Sequence, residues 1–329
     1  MKVVVDAMGG DHAPQAIISG AIEAINEFDV NIVLIGIEEQ IRQELNKYKF
    51  AQERVEIIHA PTVVGMHEPA IISIRKKKDS SISAGINLIK ESGYDAFISA
   101  GNTGAVVVAS TINLGMLSGV ERPAIGVVIP TLKGFSFLID VGANTEPKPQ
   151  HLYQSALMAQ VYMKEVLGVE NPTVGLLNIG EEASKGSGFM KEAHKMIEER
   201  ISNFAGNVDA SGVFKGEFDC IICDGVMGNI TIKISTGLME SASALMRREI
   251  RKSPIAMLGA GIMKSRLNHI KKLADYSEYG GAPLLGVNGI VMISHGRSNS
   301  KAIKNAIKAT IGEVEHNILS AMSEEISKN

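Results

Sequence analysis

Two carboxylates and an imidazole, Asp6, Asp11 and His12, flank the glycine pair Gly9-Gly10 in the stretch VVVDAMGGDHAP. Such a set suits three kinds of chemistry: a dinucleotide phosphate loop, a divalent-metal site, or a backbone cradle for a small anion. Similar small and polar residues recur in Gly101-Asn102-Thr103-Gly104, Gly142-Ala143-Asn144, Asn178-Ile179-Gly180, Asp224 and Ser294-His295. The dinucleotide fingerprint fits poorly, because GSGFMK and GAGIMK both lack its third glycine and neither opens a βαβ unit. GEEASKG places Lys before Gly and has no Gly-Lys-Ser/Thr, so a P-loop fits no better. A metal would find Asp6, Asp11 and His12 but no second acidic cluster to complete its shell. No metal and no cofactor are expected. An anion cradle fits best, since glycine-rich turns entering helices present unpaired N–H groups at the positive end of the helix dipole. Lys185, after NIGEE, adds a cation.

A covalent nucleophile is not announced. The chain has no GxSxG and no evident Ser-His-Asp or Cys-His set. Inorganic phosphate, however, is itself a nucleophile toward an activated acyl carbon, so an enzyme of this kind needs mainly to position it and to stabilise an oxyanion. A thiolate leaving group, with an ordinary thiol pKa near about 8.5, departs without a strong general acid.

The elements that must hold these loops repeat one pattern: apolar strand, short Gly/Asn/Asp loop, amphipathic helix. KVVVDAMGGDHAPQAIISGAIEAI, YDAFISAGNTGAVVVASTINL, FSFLIDVGANTEPKPQHLYQSALMA and TVGLLNIGEEASKGSGFMKEAHKMI show it. FDCIICDGVMGNITIKISTGLMESA, GIVMISHGRSNSKAIKNAI and the plainer VNIVLIGIEEQIRQEL do so as well. That alternation predicts an α/β fold, a three-layer α/β/α sandwich with a mainly parallel sheet. Ligands in such sheets bind beyond the carboxyl ends of the strands. The polar loops are therefore expected along one sheet edge. Gly and Asn are also ordinary turn residues, so no single loop carries this inference alone.

With 329 residues the chain is long enough for one large domain or for two lobes of one domain, and a single domain is expected over residues 1–329. A net charge of −3 gives no argument for nucleic acid. No apolar run reaches the roughly 18 residues of a membrane span, and Asp6 interrupts any leader-like start, so a cytoplasmic protein is expected. Cys220 and Cys223 lie in the buried-strand pattern FDCIICDG, where positions three apart face opposite sides, and are expected to be reduced and structural. Arg75-Lys76-Lys77-Lys78 is a cationic run before a helix cap at Asp79-Ser80-Ser81, suited to a solvated face or to an acidic partner. Residues 238–283 break the rhythm and predict an inserted helical hairpin, with stems suited to packing in a homodimer. Its apolar tip SPIAMLGAGIM starts at Ser253-Pro254 and sits among eight Lys/Arg and one acid between Arg247 and Lys272. Met257, Leu258 and Ile262 in that tip suit the surface of an anionic bilayer.

Taken together, the loops resemble one family across essentially the whole chain. VVVDAMGGDHAP, RKKKDSS, SAGNTGA, ERPAI, DVGAN, NIGEE with SKG, DG followed by GN, and GGAPLLGVNG followed by HGRS look like the bacterial phosphate acyltransferases of phospholipid synthesis (acyl-ACP:phosphate acyltransferase, PlsX). The resemblance implies a fold like isocitrate and isopropylmalate dehydrogenases and the phosphotransacetylases. It implies acyl transfer from acyl carrier protein to inorganic phosphate, with the acyl phosphate passed to a membrane glycerol-3-phosphate acyltransferase. A homodimer and peripheral membrane contact are also implied. Gly228, Asn229 and Lys233, with PLLGVNGIVMISHG, are similar to phosphotransacetylases, although His295 stands where those enzymes carry Arg. Ser187-Gly188 and Val226 depart from the family's usual Asn-Glu and aromatic residue.

On this reading the phosphate cradle draws on Gly9, Gly10, Gly101, Asn102, Thr103, Gly104, Asn144, Gly180, Gly228, Asn229 and Ser294, with charge from Lys185. Asp6, Asp11 and Asp224 order the loops, and His12 and His295 are candidates for polarising the carbonyl or helping the thiolate leave. Arg75 to Lys78 would dock the carrier protein. An acyl-CoA phosphotransacetylase is the alternative enzyme, and a non-catalytic membrane-surface scaffold fits less well.

Overall fold

A computed structural model describes residues 1–91, 93–266 and 280–328. The first block of the sheet holds β1 (Lys2–Asp6), β2 (Asn31–Gly36), β3 (Val55–His59) and β4 (Ala96–Ser99). β11 (Ile290–Ile293) joins it from the far end of the chain, giving the parallel order β3-β2-β1-β4-β11. The second block, β6 (Gly134–Ile139), β9 (Cys220–Ile222), β7 (Val174–Leu177) and β8 (Phe204–Val208), is also parallel within itself. Between the blocks lie β10 (Ala282–Leu285) and β5 (Ala124–Thr131), and the three pairings β11-β10, β10-β5 and β5-β6 are antiparallel. Three successive reversals leave the second block running opposite to the first.

This corrects the expectation of a single loop edge. The carboxyl ends of β1, β4 and β11 point one way, and those of β6, β7 and β9 point the other. The repeated strand–loop–helix unit fixes parallelism within a block, but it carries no signal for the sense of one block against another.

Alternation along each strand sorts side chains into layers. Val3 and Val5 face α1 (Gln15–Glu27), α2 (Glu38–Leu45) and α10 (Ser300–Glu315), through Ile17, Ile18, Ile41, Ile303 and Ile307. Val4 faces the other way with Phe97 and Val291, against α3 (Ala70–Lys76), α4 (Ser81–Leu88) and α5 (Thr103–Asn113). In the second block Phe137, Val174, Leu176 and Ile222 pack on α6 (Pro149–Glu165), α7 (Gly188–Arg200) and α11 (Ile318–Lys328). Leu138, Leu177 and Ile221 on its opposite face meet Val213, Phe214 and Phe218. Each fully buried Val, Leu or Phe of these layers contributes about 1.5–3 kcal/mol.

Cys220 falls in one of these layers and Cys223 in the other, both free. Burial pushes both thiols well above the ordinary range.

A buried polar pair joins the blocks. Tyr162 of α6 stacks on Phe137, with ring centroids 4.6 Å apart, and its hydroxyl donates to Glu313 of α10 over 3.1 Å.

No new helix starts at 238. α8 (Gly225–Ile250) runs unbroken for 26 residues, about 39 Å, through the position 238 where a new stem was expected. Gly237 is tolerated inside it because a helical glycine costs only about 1 kcal/mol relative to alanine. After residues 251–253, α9 (Pro254–Ile262) starts with Ser253 as its N-cap, the hydroxyl accepting from Ala256 N–H. Residues 267–279 of the hairpin expected over 238–283, Lys272 among them, lie outside the described residues. Among the described residues no helix is long and apolar enough to cross a membrane.

Candidate active site

At the carboxyl end of β1, Asp6 is buried, with Oδ1 accepting from Met8 N–H (3.1 Å) and Oδ2 from the Ser99 hydroxyl (2.7 Å). Ser99 accepts in turn from Gly101 N–H at 3.0 Å, so β1 and β4 share one hydrogen-bonded turn. Burial pushes the Asp6 carboxyl up, against the hydrogen bonds that favour its charge. Gly9 needs its missing side chain: a Cβ there would come within 2.6 Å of Gly101 N. Gly10 has φ +100°, which an L side chain rarely adopts. Asp11 N–H donates to Gly296 O at 2.7 Å and ties this loop to the one after β11. The side chains of Asp11 and His12 are exposed beside it.

Three of the expected loops therefore meet: Asp6–His12, Gly101–Gly104 and Ser294–Gly296. Asn102 caps α5, its Oδ1 accepting from Ala105 N–H at 3.0 Å. Its amide is engaged as well, donating to Gly65 O, Met66 O and Glu68 O at 3.2, 3.1 and 3.0 Å. The donors left for an anion at this helix end are the exposed first-turn amides of Thr103 and Gly104. Ser294 N–H donates to Ser99 O at 2.9 Å, while its buried hydroxyl has no hydrogen-bond partner among the described residues.

His295 follows on the same turn. Its Nδ1 accepts from Arg297 N–H at 3.1 Å, which leaves Nε2 to carry the proton of the neutral ring. Burial and the nearby Arg297 and Lys233 cations lower its pKa, opposed by Asp11 and Glu240, so the ring is uncharged at neutral pH. Lys233 and Glu240 belong to α8, whose middle therefore passes close to this cluster.

The second block gathers its own loops. Asp140, just beyond β6, is a buried carboxylate with five donors. Oδ1 takes Ile125, Gly142 and Ala143 N–H at 3.1, 3.0 and 2.9 Å, and Oδ2 takes Asn144 N–H and Nδ2 at 2.7 and 3.0 Å. Asn144 Nδ2 also donates to Pro123 O at 2.6 Å, so this side chain holds its own loop and offers an anion no remaining donor. Asp224 caps α8, accepting from Val226 and Met227 N–H at 2.9 Å each. Gly225 and Gly228 lie flat on that loop, where a Cβ would strike Asn144 and Asp140 backbone atoms. Asn229 is half-buried in the same turn of α8.

Lys185 is exposed after β7 in a turn held by Asn178 Nδ2 to Lys185 O (3.2 Å) and Asn207 Nδ2 to Glu182 O (2.9 Å), with Gly180 against its side chain. Lys185, Gly180 and Asn144 thus stand with the second block, apart from His12 and the α5 amides. α8 spans the two groups: its cap is at Asp224 and its Lys233 reaches the field of His295.

The basic run divides. Arg75, Lys76 and Lys78 are exposed, whereas Lys77 is turned inward, donating to Val63 O at 2.8 Å and Glu68 Oε1 at 2.6 Å. In α9 Ile255, Met257, Leu258 and Ile262 are 83, 48, 69 and 80% exposed. The sequence reading missed Glu68, Met66 and Ser99, which carry no periodicity: Met66 O meets Asn102 and the Ser99 hydroxyl meets Asp6, both far along the chain, while the Glu68 carboxylate is held by Gly65, Ser73 and Lys77 on a segment without pattern. A Glu-Pro pair ahead of a helix was the one local sign.

The chain matches the model of a family described as "Fatty acid synthesis protein" over residues 1–321. It is 47% identical to the phosphate acyltransferase of Halothermothrix orenii, covering 100% of this chain and 99% of that one. It is 44% identical to that of Alkaliphilus oremlandii, over 99% and 98%. In structure it is similar to the EutD phosphotransacetylase of Staphylococcus aureus, with a TM-score of 0.61 at 16% identity, covering 95% of this chain and 94% of that one. It is also similar to a branched-chain phosphotransacylase of Enterococcus faecalis, with a TM-score of 0.60 at 11% identity over 96% and 100%. These two share the fold. The match over residues 1–321 and the curated phosphate acyltransferases it resembles along its whole length place the chain in one family: it belongs to the fatty acid synthesis proteins.

Proposed function

We propose that the protein transfers a fatty acyl group from a thioester of acyl carrier protein to inorganic phosphate, supplying acyl phosphate for phospholipid synthesis. The observation that carries this reading is the full-length identity to phosphate acyltransferases. The site adds chemistry suited to it. The Thr103 and Gly104 amides at the α5 dipole, with the Ser294 hydroxyl, orient phosphate. A phosphate oxygen attacks the thioester carbon, and the carbonyl oxygen takes up negative charge. That attack makes the C–O bond of the acyl phosphate, and the tetrahedral species then re-forms C=O and expels thiolate, breaking C–S. Neutral His295, protonated on Nε2, is the candidate donor to the oxyanion or the departing sulfur. Lys233 adds positive charge, and His12 is exposed on the neighbouring loop.

Exposed Arg75, Lys76 and Lys78 are the cations available to an acidic carrier protein. Met257, Leu258 and Ile262 on α9 form the membrane-surface contact, flanked by Arg247, Arg248, Arg251 and Lys252, and α8 supplies a homodimer stem. The downstream acyltransferase would meet the protein at that membrane surface.

The deciding measurement is hydroxamate trapping of acyl phosphate with phosphate and either acyl carrier protein or acyl-CoA as donor. Product with the carrier-protein donor and little with acyl-CoA is expected. Preference for acyl-CoA would favour a phosphotransacetylase, the second reading that the shared fold supports. Polar substitutions at Met257, Leu258 and Ile262 are expected to release the protein from anionic vesicles, and unchanged binding would remove α9 from the interface.

A further inference from the structure

Residues 63–69 have no secondary structure of their own, yet hydrogen bonds hold them at Val63, Gly65, Met66 and Glu68. Glu68 is the knot. Its Oε1 accepts from Gly65 N–H (3.1 Å) and Lys77 Nζ (2.6 Å), and its Oε2 from the Ser73 hydroxyl (2.8 Å). Lys77 Nζ also reaches Val63 O at the start of the segment. The far side of the same segment is the acceptor row for Asn102, the residue that caps α5. Met66 lies against Gly296, where a Cβ would come within 2.6 Å of its methyl group. Gly296 is next to His295.

A chain of direct contacts thus runs from Lys77 through Glu68 to both the α5 amides and the His295 turn. An ammonium already bound to a carboxylate and a carbonyl is poorly placed to attract a partner. Its charge is largely neutralised on the spot, unlike those of exposed Arg75, Lys76 and Lys78.

We propose that Lys77 and Glu68 form a positioning pair for acyl transfer, closing residues 63–69 into a strap that sets the first turn of α5 and the turn carrying His295. The pair acts through Asn102 and Met66 and touches no reacting atom. Lys77, Ser73 and Gly65 N–H hold the Glu68 carboxyl at about 2, so the pair is intact throughout the neutral range.

The test compares wild type with Lys77→Met, Lys77→Arg and Glu68→Gln, and it rests on the acyl-phosphate reading for its kinetic arm. Lys77→Met and Glu68→Gln are each expected to lower kcat about 10-fold or more, as misplacement of a reacting group does. KM for the carrier-protein donor should stay within about twofold, and the ratio to wild type should not change with salt. Lys77→Arg keeps the cation and should restore most of kcat. Amide exchange of peptides covering 63–69 and 102–106 should accelerate together in Lys77→Met and Glu68→Gln, with the remaining core unchanged.

Wild-type kcat with unchanged exchange in both variants would overturn the proposal. So would a salt-dependent rise in donor KM with kcat retained, which would make Lys77 a docking cation. If wild type forms no acyl phosphate, the function reading fails, and the exchange arm still decides the strap.

Discussion

Asp6 and Asp140 occupy equivalent places, each just at the end of a strand and each organising the loop that follows, but they do so differently. Asp6 accepts from Met8 N–H of its own loop and from the Ser99 hydroxyl, and burial pushes its carboxyl up. Asp140 takes five donors, four of them backbone N–H groups. In the second block the loop after β6 concentrates its order on a single carboxylate. The first spreads it over Asp6, Ser99, Asn102 and Glu68, and on the function proposed above its helix-end amides and the Ser294 hydroxyl are the groups that serve phosphate. Where one residue satisfies every donor nearby, little remains for substrate.

Substitutions sharpen this contrast. Asp140→Asn should be the most damaging, because an amide nitrogen would face N–H groups that now meet an oxygen. A loss of about 3–5 kcal/mol is expected in denaturant unfolding, and a loss under 1 kcal/mol would refute the single-anchor description.

Next comes the seam between the blocks. Glu313 is raised from 4.5 to about 8 by burial, so the folded state keeps a proton that the unfolded chain releases. Its contribution is complete below about 4.5 and is lost as pH rises through about 8. Glu313→Gln keeps an acceptor for Tyr162 and should raise stability at pH 8 by about 2–3 kcal/mol with little change at pH 5. Parallel stability–pH curves for the two proteins would show that burial does not act as described.

Asn102→Ala removes a cap and the strap's donors together, an expected loss of about 2 kcal/mol by thermal unfolding. It should also raise KM for phosphate, and an unaltered KM would detach the α5 amides from the phosphate site. The mildest is Asp6→Asn, about 1 kcal/mol or less, since removing a desolvated charge offsets the altered bond to Ser99. A collapse comparable with Asp140→Asn would erase the distinction between the two blocks.

Much of this molecule is legible in its residues. Apolar runs ending in Asp, Gly and Asn mark strand ends, because only certain residues turn a strand into a helix within a few positions, and they delivered β1, β4, β6, β7, β9 and β11 with their helices. Ser253-Pro254 and Ser80 declared helix starts for the same local reason. The reversal of the second block was not legible. It depends on β5 and β10, short apolar runs whose pairing partners are set by tertiary contact, with 150 residues between the end of β5 at Thr131 and the start of β10 at Ala282. Asn102 and Asn144 looked like ligand groups because a side-chain amide reads the same whether it serves an anion or a carbonyl. Lys77 looked like its neighbours because ion pairing depends on Glu68, nine positions earlier, on a segment with no pattern.

The placement of β11 bears on how the protein is made. Once residue 99 has left the ribosome, β3, β2, β1 and β4 are all available to pair, but β4's other neighbour begins at Ile290. At about 5–20 residues per second those 191 residues take roughly 10–40 s to appear. Throughout that interval the fully buried strand Ala96–Ser99 presents a bare edge, the kind of surface on which chains stick to one another. The pace of translation, as much as the sequence, sets how long the nascent chain is exposed to that hazard.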